Sequence, residues 1–434
     1  MRIFLLIFIP LLLLGNCTSG SSIGALDITF GTQGVTFIDF AGEDDTACCT
    51  VVDSTGLVYV AGSTEGATSN DLALARLTAA GVLDTSFNTT GKVTLDISSG
   101  SEDEALGIAL QTDGKILVVG TAGVGNDARL TVARWTTSGA LDTSFDTDGL
   151  YIHGSYPMVF RGIALDTLGR IYLYGSNATG TLLLRLTALG ALDPTFGTSG
   201  SVTPTPVGST DSPAGIVVTT SEIWLGGTAY SSSTIATATS DFYLTKASLD
   251  GTVVSTVTYD FGTLASAINN QYDVAQSLTR DQWGNLLLVG YSRLSASDKK
   301  KVAVASFDSA GNPNTSFGTL GGALFTLSET STTGATTAIS ATGAWGNRSP
   351  SAYFLIAATA AQSTGNTLAL LRLGSSGTLV PFLGETSASF EDLGAASTEA
   401  KSAAIQSNGK WVLLTTARQT STSSYDFGVA RFSP

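Results

Sequence analysis

The feature that most constrains this chain is a unit that recurs seven times. Its marker is a cationic residue late in a short apolar stretch. It reads Leu74-Ala75-Arg76-Leu77, Val132-Ala133-Arg134-Trp135, Leu184-Arg185-Leu186, Leu244-Thr245-Lys246, Leu371-Arg372-Leu373 and Val429-Ala430-Arg431-Phe432. A further copy, Val304-Ala305-Ser306-Phe307, has lost the charge. From residue 76 to residue 431, successive copies stand 58, 51, 61, 60, 66 and 59 residues apart. A period of this size signals one supersecondary unit used repeatedly, so 434 residues need not mean several domains.

Two further patterns share the period. One follows the cationic stretch: Gly81-Val82-Leu83-Asp84-Thr85-Ser86-Phe87, Gly139 to Phe145 and Gly190 to Phe196, with weaker copies at Gly311 to Phe317 and Gly377 to Phe382. A first copy, Gly24 to Phe30, opens the repeat region, and the copy after Gly251 has decayed. The other is a hairpin of small-apolar stretch, Asp-x-x-Gly turn and strongly apolar stretch. It turns at Asp53 to Gly56, Asp113-Gly114, Asp166 to Gly169, Asp281 to Gly284 and Asn408-Gly409. Asp-Gly and Asn-Gly suit tight turns because such turns need positive φ.

Each unit therefore offers four strands: small-apolar, strongly apolar, Arg-bearing, and one after the Leu-Asp-x-x-Phe loop, such as Lys92 to Ile97. Four-stranded units of this length make propeller blades. The expectation is an all-β, seven-bladed β-propeller spanning residues 24–434. The phase of the repeat predicts how it closes. The chain starts with a fourth-type strand, residues 35–39, and ends with a third-type strand, residues 427–432. Pairing these would remove two exposed strand edges.

The order Ala-Arg-Leu, Gly-x-Leu-Asp-x-x-Phe, then Gln-x-Asp-Gly-Lys-Ile-Leu resembles the delta-60 repeat family of bacterial proteins. Residues 71–145 match best, and the likeness weakens in units five to seven. The resemblance implies a propeller, often secreted, and no particular chemistry.

The first residues read as a targeting segment. Arg2 precedes an apolar run from Ile3 to Leu14 that is too short to span a bilayer as a helix. Leu14-Gly15-Asn16-Cys17 is similar to the lipobox of bacterial lipoproteins, with Asn16 where Gly, Ala or Ser is usual. The expectation is a signal peptide over 1–16, lipidation of Cys17, a polar tether over 17–23, and an exported protein anchored in the cell envelope. Outer membrane and cell surface are both open.

Charge and residue counts exclude some functions. The net charge of −14 argues against nucleic acid as a partner, because phosphate binding needs a basic surface. The single histidine, His153, argues against a His-built metal site and a Ser–His relay. Cys48 and Cys49 are adjacent. A bond between neighbours strains the intervening peptide, so they are expected to be unbonded, buried side chains.

Several candidate sites remain. Asp146-Thr147-Asp148-Gly149 is like part of a calcium loop, but the glutamate that completes one is missing. The equivalent positions Gly31, Asn88, Gly197 and Gly318 point instead to a left-handed turn. Asp71, Asp241 and Asp426 each stand five residues before a cationic marker and are read as hydrogen-bonding at the strand start. Acids precede most first strands: Glu43, Asp44 and Asp45; Glu102, Asp103 and Glu104; then Asp211, Asp273 and Glu399. In a propeller such loops gather at one mouth of the central channel, where carboxylates raise one another's pKa and attract cations. One reading is a site for Ca²⁺ or a cationic ligand; the simpler one is that each acid caps its own strand. Unit three departs with His153 to Met158. Insertions at Tyr230 to Ser240 and Thr342 to Ser351 are places for recognition. No cofactor is expected. The leading functional expectation is a monomeric, membrane-anchored binding module for a protein or carbohydrate ligand. The alternative is an enzyme, carbohydrate-active or cofactor-dependent, using the central pocket.

Overall fold

The structure, a computed structural model, describes residues 25–433 except 41, 67, 98–99, 124–127, 155–157, 235–237, 266–271, 282, 294–299, 327–335, 343–352, 363–364, 381–388, 392, 394, 396 and 421–422. The targeting segment, Cys17, the tether, Ser155 to Pro157 and most of the second insertion lie outside the described residues.

The fold is all-β. After β1 (Val35–Ile38), a four-stranded sheet runs in chain order through β2 (Asp45–Val52), β3 (Val58–Glu65), β4 (Asn70–Leu77) and β5 (Lys92–Leu95). The next comprises β6 (Asp103–Leu110), β7 (Ile116–Ala122), β8 (Arg129–Trp135) and β9 (Leu150–Ile152), followed by β10 (Val159–Leu165), β11 (Ile171–Asn177), β12 (Gly180–Leu186) and β13 (Ser201–Val202). An eight-stranded sheet follows. Its halves are β14 (Thr210–Val218), β15 (Glu222–Tyr230), β16 (Ser240–Ser248) and β17 (Val253–Tyr259), then β18 (Tyr272–Arg280), β19 (Leu286–Arg293), β20 (Lys301–Phe307) and β21 (Gly322–Phe325). One parallel bridge, Ser240 to Tyr272, joins the halves, and a single helical turn, Gly262–Ala265, sits between them. Another four-stranded sheet holds β22 (Thr336–Thr342), β23 (Tyr353–Gln362), β24 (Gly365–Gly374) and β25 (Ser389–Glu391). In the last, β26 (Ser397–Ile405), β27 (Trp411–Arg418) and β28 (Tyr425–Phe432) are completed by β1, antiparallel to β28 with Val35 opposite Ala430 and Ile38 opposite Phe427. Among the described residues no helix is long and apolar enough to cross a membrane.

The second strands are apolar on both faces because both faces are covered. Ile171 to Tyr174 in β11 are all fully buried, as are Leu286 to Val289 in β19 to within 1%. Each core lies between one set of strands and the next. Leu117, Val119, Leu173 and Leu184 pack between the second and third sheets. Val58, Val60, Val412 and Phe427 pack between the first sheet and the last. The hairpin turns use their acids as expected: Asp53 accepts from the Thr55 and Leu57 amides at 2.9 Å, while Gly56 takes φ 91°.

The repeated residues turn out to be fastenings between units. The Arg76 guanidinium pairs with Asp84 at 2.8 Å, holds Ser86 Oγ at 2.8 Å, and donates to the Thr137 carbonyl of the following unit at 2.6 Å. Arg134 repeats this with Asp142, Ser144 and the Ala188 carbonyl, and Arg185 with Asp193, Thr195 and the Leu249 carbonyl. Arg431 pairs with Asp27 and Thr29 and donates to the Ala79 carbonyl, joining the end of the chain to its beginning. The Phe rings lie under these guanidiniums, with Phe145 at 4.6 Å from Arg134 and Phe30 at 4.8 Å from Arg431. The residue after each Phe donates its amide to the next unit: Asn88 to Ser138 and Asp146 to Leu189, both at 2.8 Å. That residue needs a left-handed backbone. Asp146 takes φ 43° and Asn88 46°, beside Gly31 at 52° and Gly197 at 51°. Asp146 is therefore a turn residue. The glycine before Leu-Asp allows the approach of units, since a Cβ on Gly190 would stand 2.8 Å from the Phe145 ring.

One expectation is corrected. Cys48 and Cys49 are disulfide-bonded to each other. In a regular strand adjacent side chains point to opposite faces and could not meet. Here the ladder shifts register between Ala47 and Cys49, so Cys48 is the extra residue of a β-bulge. This strand read by itself carries no sign of that bulge.

Candidate functional site

Every first strand carries such a bulge. The shifts fall at Ala47/Cys49, Ala105/Gly107, Phe160/Gly162, Pro213/Gly215, Ala275/Ser277, Ala338/Ser340 and Ala400/Ser402. The extra residues are Cys48, Leu106, Arg161, Ala214, Gln276, Ile339 and Lys401. A bulge removes one residue from the ladder and re-aims its side chain. Five of these seven, Cys48, Leu106, Arg161, Gln276 and Lys401, line one pocket of about 470 Å³. Thr46, Ser63, Glu104, Ser212, Pro213, Val274 and Ala275 complete most of its wall. Small residues flank most of the bulges, such as Ala47, Ala105 and Ala275, and let the first strands converge on the pocket.

The electrostatics of this pocket are mixed. Lys401 Nζ pairs with Glu399 at 3.1 Å. Arg161 donates from Nη1 to its neighbour's carbonyl, Phe160 O, at 3.0 Å, and has no ion pair among the described residues. It is solvent-accessible yet surrounded by protein, and that burial lowers its pKa against the opposing charge of Glu104. Gln276 Oε1 is buried without a hydrogen-bond partner. A broader hollow of about 850 Å³ is lined by Leu26, Thr32, Phe37 and Leu393 among others, with no charged side chain among the described residues of its wall.

The nine acids expected at one mouth are divided by the structure. Glu104 lines the central pocket, and Glu399 adjoins it through Lys401. Glu43, Asp44 and Glu102 are exposed; Asp44 accepts the Tyr425 amide at 2.9 Å and Glu102 the Asn70 amide at 3.2 Å. Asp45, Asp103 and Asp273 are fully buried at the start of their strands. They accept the amides of Phe40, Ile97 and Phe261 at 2.9, 2.6 and 2.9 Å, and Asp211 accepts those of Val207 and Gly208 at 2.7 and 2.9 Å. These four hold the incoming loop.

Three of the four belong to a second arrangement that sequence reasoning missed. Asp45 meets Asp39 and Asp426; Asp103 meets Asp71 and Asp96; Asp273 meets Asp241 and Asp260. In each group one carboxyl oxygen from each residue lies within 4.8 Å of the others. Each group joins the ends of a third and a fourth strand to the start of the following first strand. Burial, then the charges of Asp39 and Asp426, push Asp45 up to about 6. Asp241 is likewise pushed up to about 6 by burial and then by Asp260. Burial raises Asp71 and Asp426 as well, reinforced by their acidic neighbours. The raised carboxyls in these groups hold a proton more readily than a free aspartate does. The signal was present in sequence as Asp71, Asp241 and Asp426 at one repeat position.

His153, at the end of β9, shares a 2.8 Å hydrogen bond between Nδ1 and the Tyr151 hydroxyl, and burial lowers its pKa. Among the described residues no nucleophile or second base is hydrogen-bonded to this pair. The first insertion extends the hairpin of β15 and β16, where the Ser231 amide donates to Thr239 O at 2.9 Å.

A family model and one solved structure agree with this architecture. A family model described as a domain of unknown function (DUF5122) beta-propeller matches residues 54–87 and 111–145. Among solved structures, Drosophila Semaphorin 2a is similar over 92% of this chain and 75% of its own, at 8% identity and a TM-score of 0.52. A catalytically inactive virginiamycin B lyase from Staphylococcus aureus, with quinupristin, is similar over 91% of this chain and 98% of its own, at 11% identity and a TM-score of 0.49. No curated protein matches the sequence. The chain is a β-propeller.

Proposed function

We propose that this propeller has seven blades closed by β1 against β28, is of the delta-60 repeat kind, and is a binding module held at an envelope membrane through a lipidated Cys17. The seven blades are supported by the seven bulged first strands, with the eight-stranded sheet counted as two blades. The closure is supported by the β1–β28 register and by Arg431 reaching Ala79. The anchor is supported by the sequence Leu14-Gly15-Asn16-Cys17.

One observation carries the binding reading: the bulges deliver different side chains to a single concave pocket, which is how a small ligand is recognised. The enzyme alternative has Glu104 and Glu399 to offer, but Glu399 is held by Lys401, and among the described residues neither acid is joined to a nucleophile. The test is thermal shift of the full-length protein in detergent against a library of small metabolites and glycans. A ligand of the native state must raise the melting temperature. Filling the pocket by Ser212→Trp should abolish the shift without changing the circular dichroism spectrum. Stabilising compounds that act equally on this variant would refute the location. Cys17→Ser should move the protein from the membrane to the soluble fraction; unchanged fractionation would refute the anchor.

A further inference from the structure

We infer that the central pocket recognises a hydroxylated carboxylate of sugar-acid size, with Arg161 and Lys401 taking the carboxylate. The inference rests on the binding reading above and names the ligand class for that site.

The starting point is the scarcity of free cations. The chain has 21 Lys and Arg against 35 Asp and Glu. Most buried cations are committed: Arg76, Arg134, Arg185 and Arg431 to their aspartates, Lys246 to Glu222 and Lys410 to Asp27. Arg161 differs. It stands at a bulge, in the pocket, with no carboxylate in ion-pair range among the described residues. Its guanidinium is solvent-accessible at the pocket wall and can receive an incoming anion. Its planar fork favours a carboxylate bound through two oxygens.

The rest of the wall selects what carries that carboxylate. Lys401, from the last first strand, adds a second positive charge whose present partner, Glu399, is partly exposed. Gln276 Oε1 and Glu104 are acceptors on the wall, and Oε1 of Gln276 is buried and unpaired. The exposed Glu104 carboxylate can accept from a ligand hydroxyl, and Gln276 Oε1 would gain a hydrogen bond if its side chain turned to the pocket. Leu106, Pro213, Val274 and the bonded Cys48 give apolar surface for a ring to lie against. A volume of about 470 Å³ holds one or two sugar rings. A simple inorganic anion would use the cations and leave the acceptors unmet. A neutral sugar would do the reverse.

The experiment is calorimetric titration of full-length protein with galacturonate, glucuronate, galactose and acetate. Galacturonate or glucuronate should bind, with galactose and acetate each at least about tenfold weaker, the loss expected for a charge-assisted hydrogen bond. Arg161→Gln should weaken the sugar acid by a similar factor. Arg129→Gln, an exposed arginine away from the pocket, should change nothing. Equal binding of galactose, lost in Ser212→Trp, would overturn the acidic class and leave the binding reading standing. Acetate binding as tightly as the sugar acids would overturn the hydroxyl contribution. Binding unchanged by both Arg161→Gln and Ser212→Trp, or no binding of any sugar, would overturn the inference.

Discussion

Replacing Arg134 by methionine tests whether the repeated guanidinium is the fastening between units. Arg134 is 1% exposed. Its Nε stands 2.8 Å from Asp142 Oδ2 as an ion pair, and its Nη1 donates at 2.8 Å to the Ala188 carbonyl in the next sheet. Methionine fills much of the same space but strands the Asp142 charge and the Ala188 carbonyl. Breaking a buried pair this way costs roughly 3–5 kcal/mol. Lys115 Nζ also reaches Asp142 at 3.0 Å, so the lower end, about 3 kcal/mol, is expected. Burial works against the Asp142 charge, yet Ser144, Lys115 and Arg134 together hold its pKa down at about 2, from 3.8. A lowered acid gives its stability above the unfolded pKa and loses it as pH falls through about 4 to about 2. The wild type should therefore lose about 2 kcal/mol across that window through Asp142, and the variant less. The assay is urea unfolding followed by tryptophan fluorescence at pH 7 and pH 3. Hydrogen exchange at residues 188–190 reports the local junction if unfolding has more than one step. A cost below about 1 kcal/mol, or unchanged exchange at that turn, would refute the fastening.

Asp45→Asn should act in the opposite pH direction. A carboxyl with its pKa raised to about 6 stabilises fully below about pH 4, and that contribution is lost as pH rises through 6. The variant should thus gain up to about 3 kcal/mol over wild type at pH 7 and nothing at pH 4, read by urea midpoints; equal effects at both would exclude repulsion as the cause. Alkylation and mass spectrometry of denatured protein should find Cys48 and Cys49 unmodified before reduction and doubly modified after it. Removing residues 23–40 uncovers the β28 edge and deprives Arg431 of Asp27. That deletion should lower the melting temperature sharply and promote aggregation. A wild-type melting curve would show that β1 contributes little.

Much of the fold was legible because fixed spacing is a one-dimensional property. The turns at Asp53 and Asp166, the apolar second strands and the left-handed position of Asp146 all follow from local chemistry. The Arg–Asp partnership was visible only in pieces. Arg76 and Asp84, Arg134 and Asp142, and Arg185 and Asp193 keep one spacing of eight residues, whereas Arg372 has Val380 at that distance. Where Arg becomes Ser306, the matching acid is Asn314, so neither charge is left alone. Where the loop after Gly251 has decayed, Lys246 pairs with Glu222 at 2.5 Å instead. The pocket was hidden for a different reason. A bulge is an insertion relative to a neighbouring strand, and strand neighbours are a property of space. The sequence placed the acids near the first strands correctly but could not separate inward Glu104 from buried Asp103. Aligning the first strands on their small residues would have exposed one column reading Cys, Leu, Arg, Ala, Gln, Ile, Lys amid near-constant flanks.

That column has an evolutionary consequence. Because the bulged residue stands outside the backbone ladder, exchanging it leaves the pairing of its strand with its neighbour untouched. Seven such places can drift independently, and the five that line the pocket would, on the proposed binding reading, let a lineage retune its ligand without renegotiating how it folds. Relatives that share the fastenings but differ at the five pocket letters should, on that reading, differ in appetite rather than in architecture.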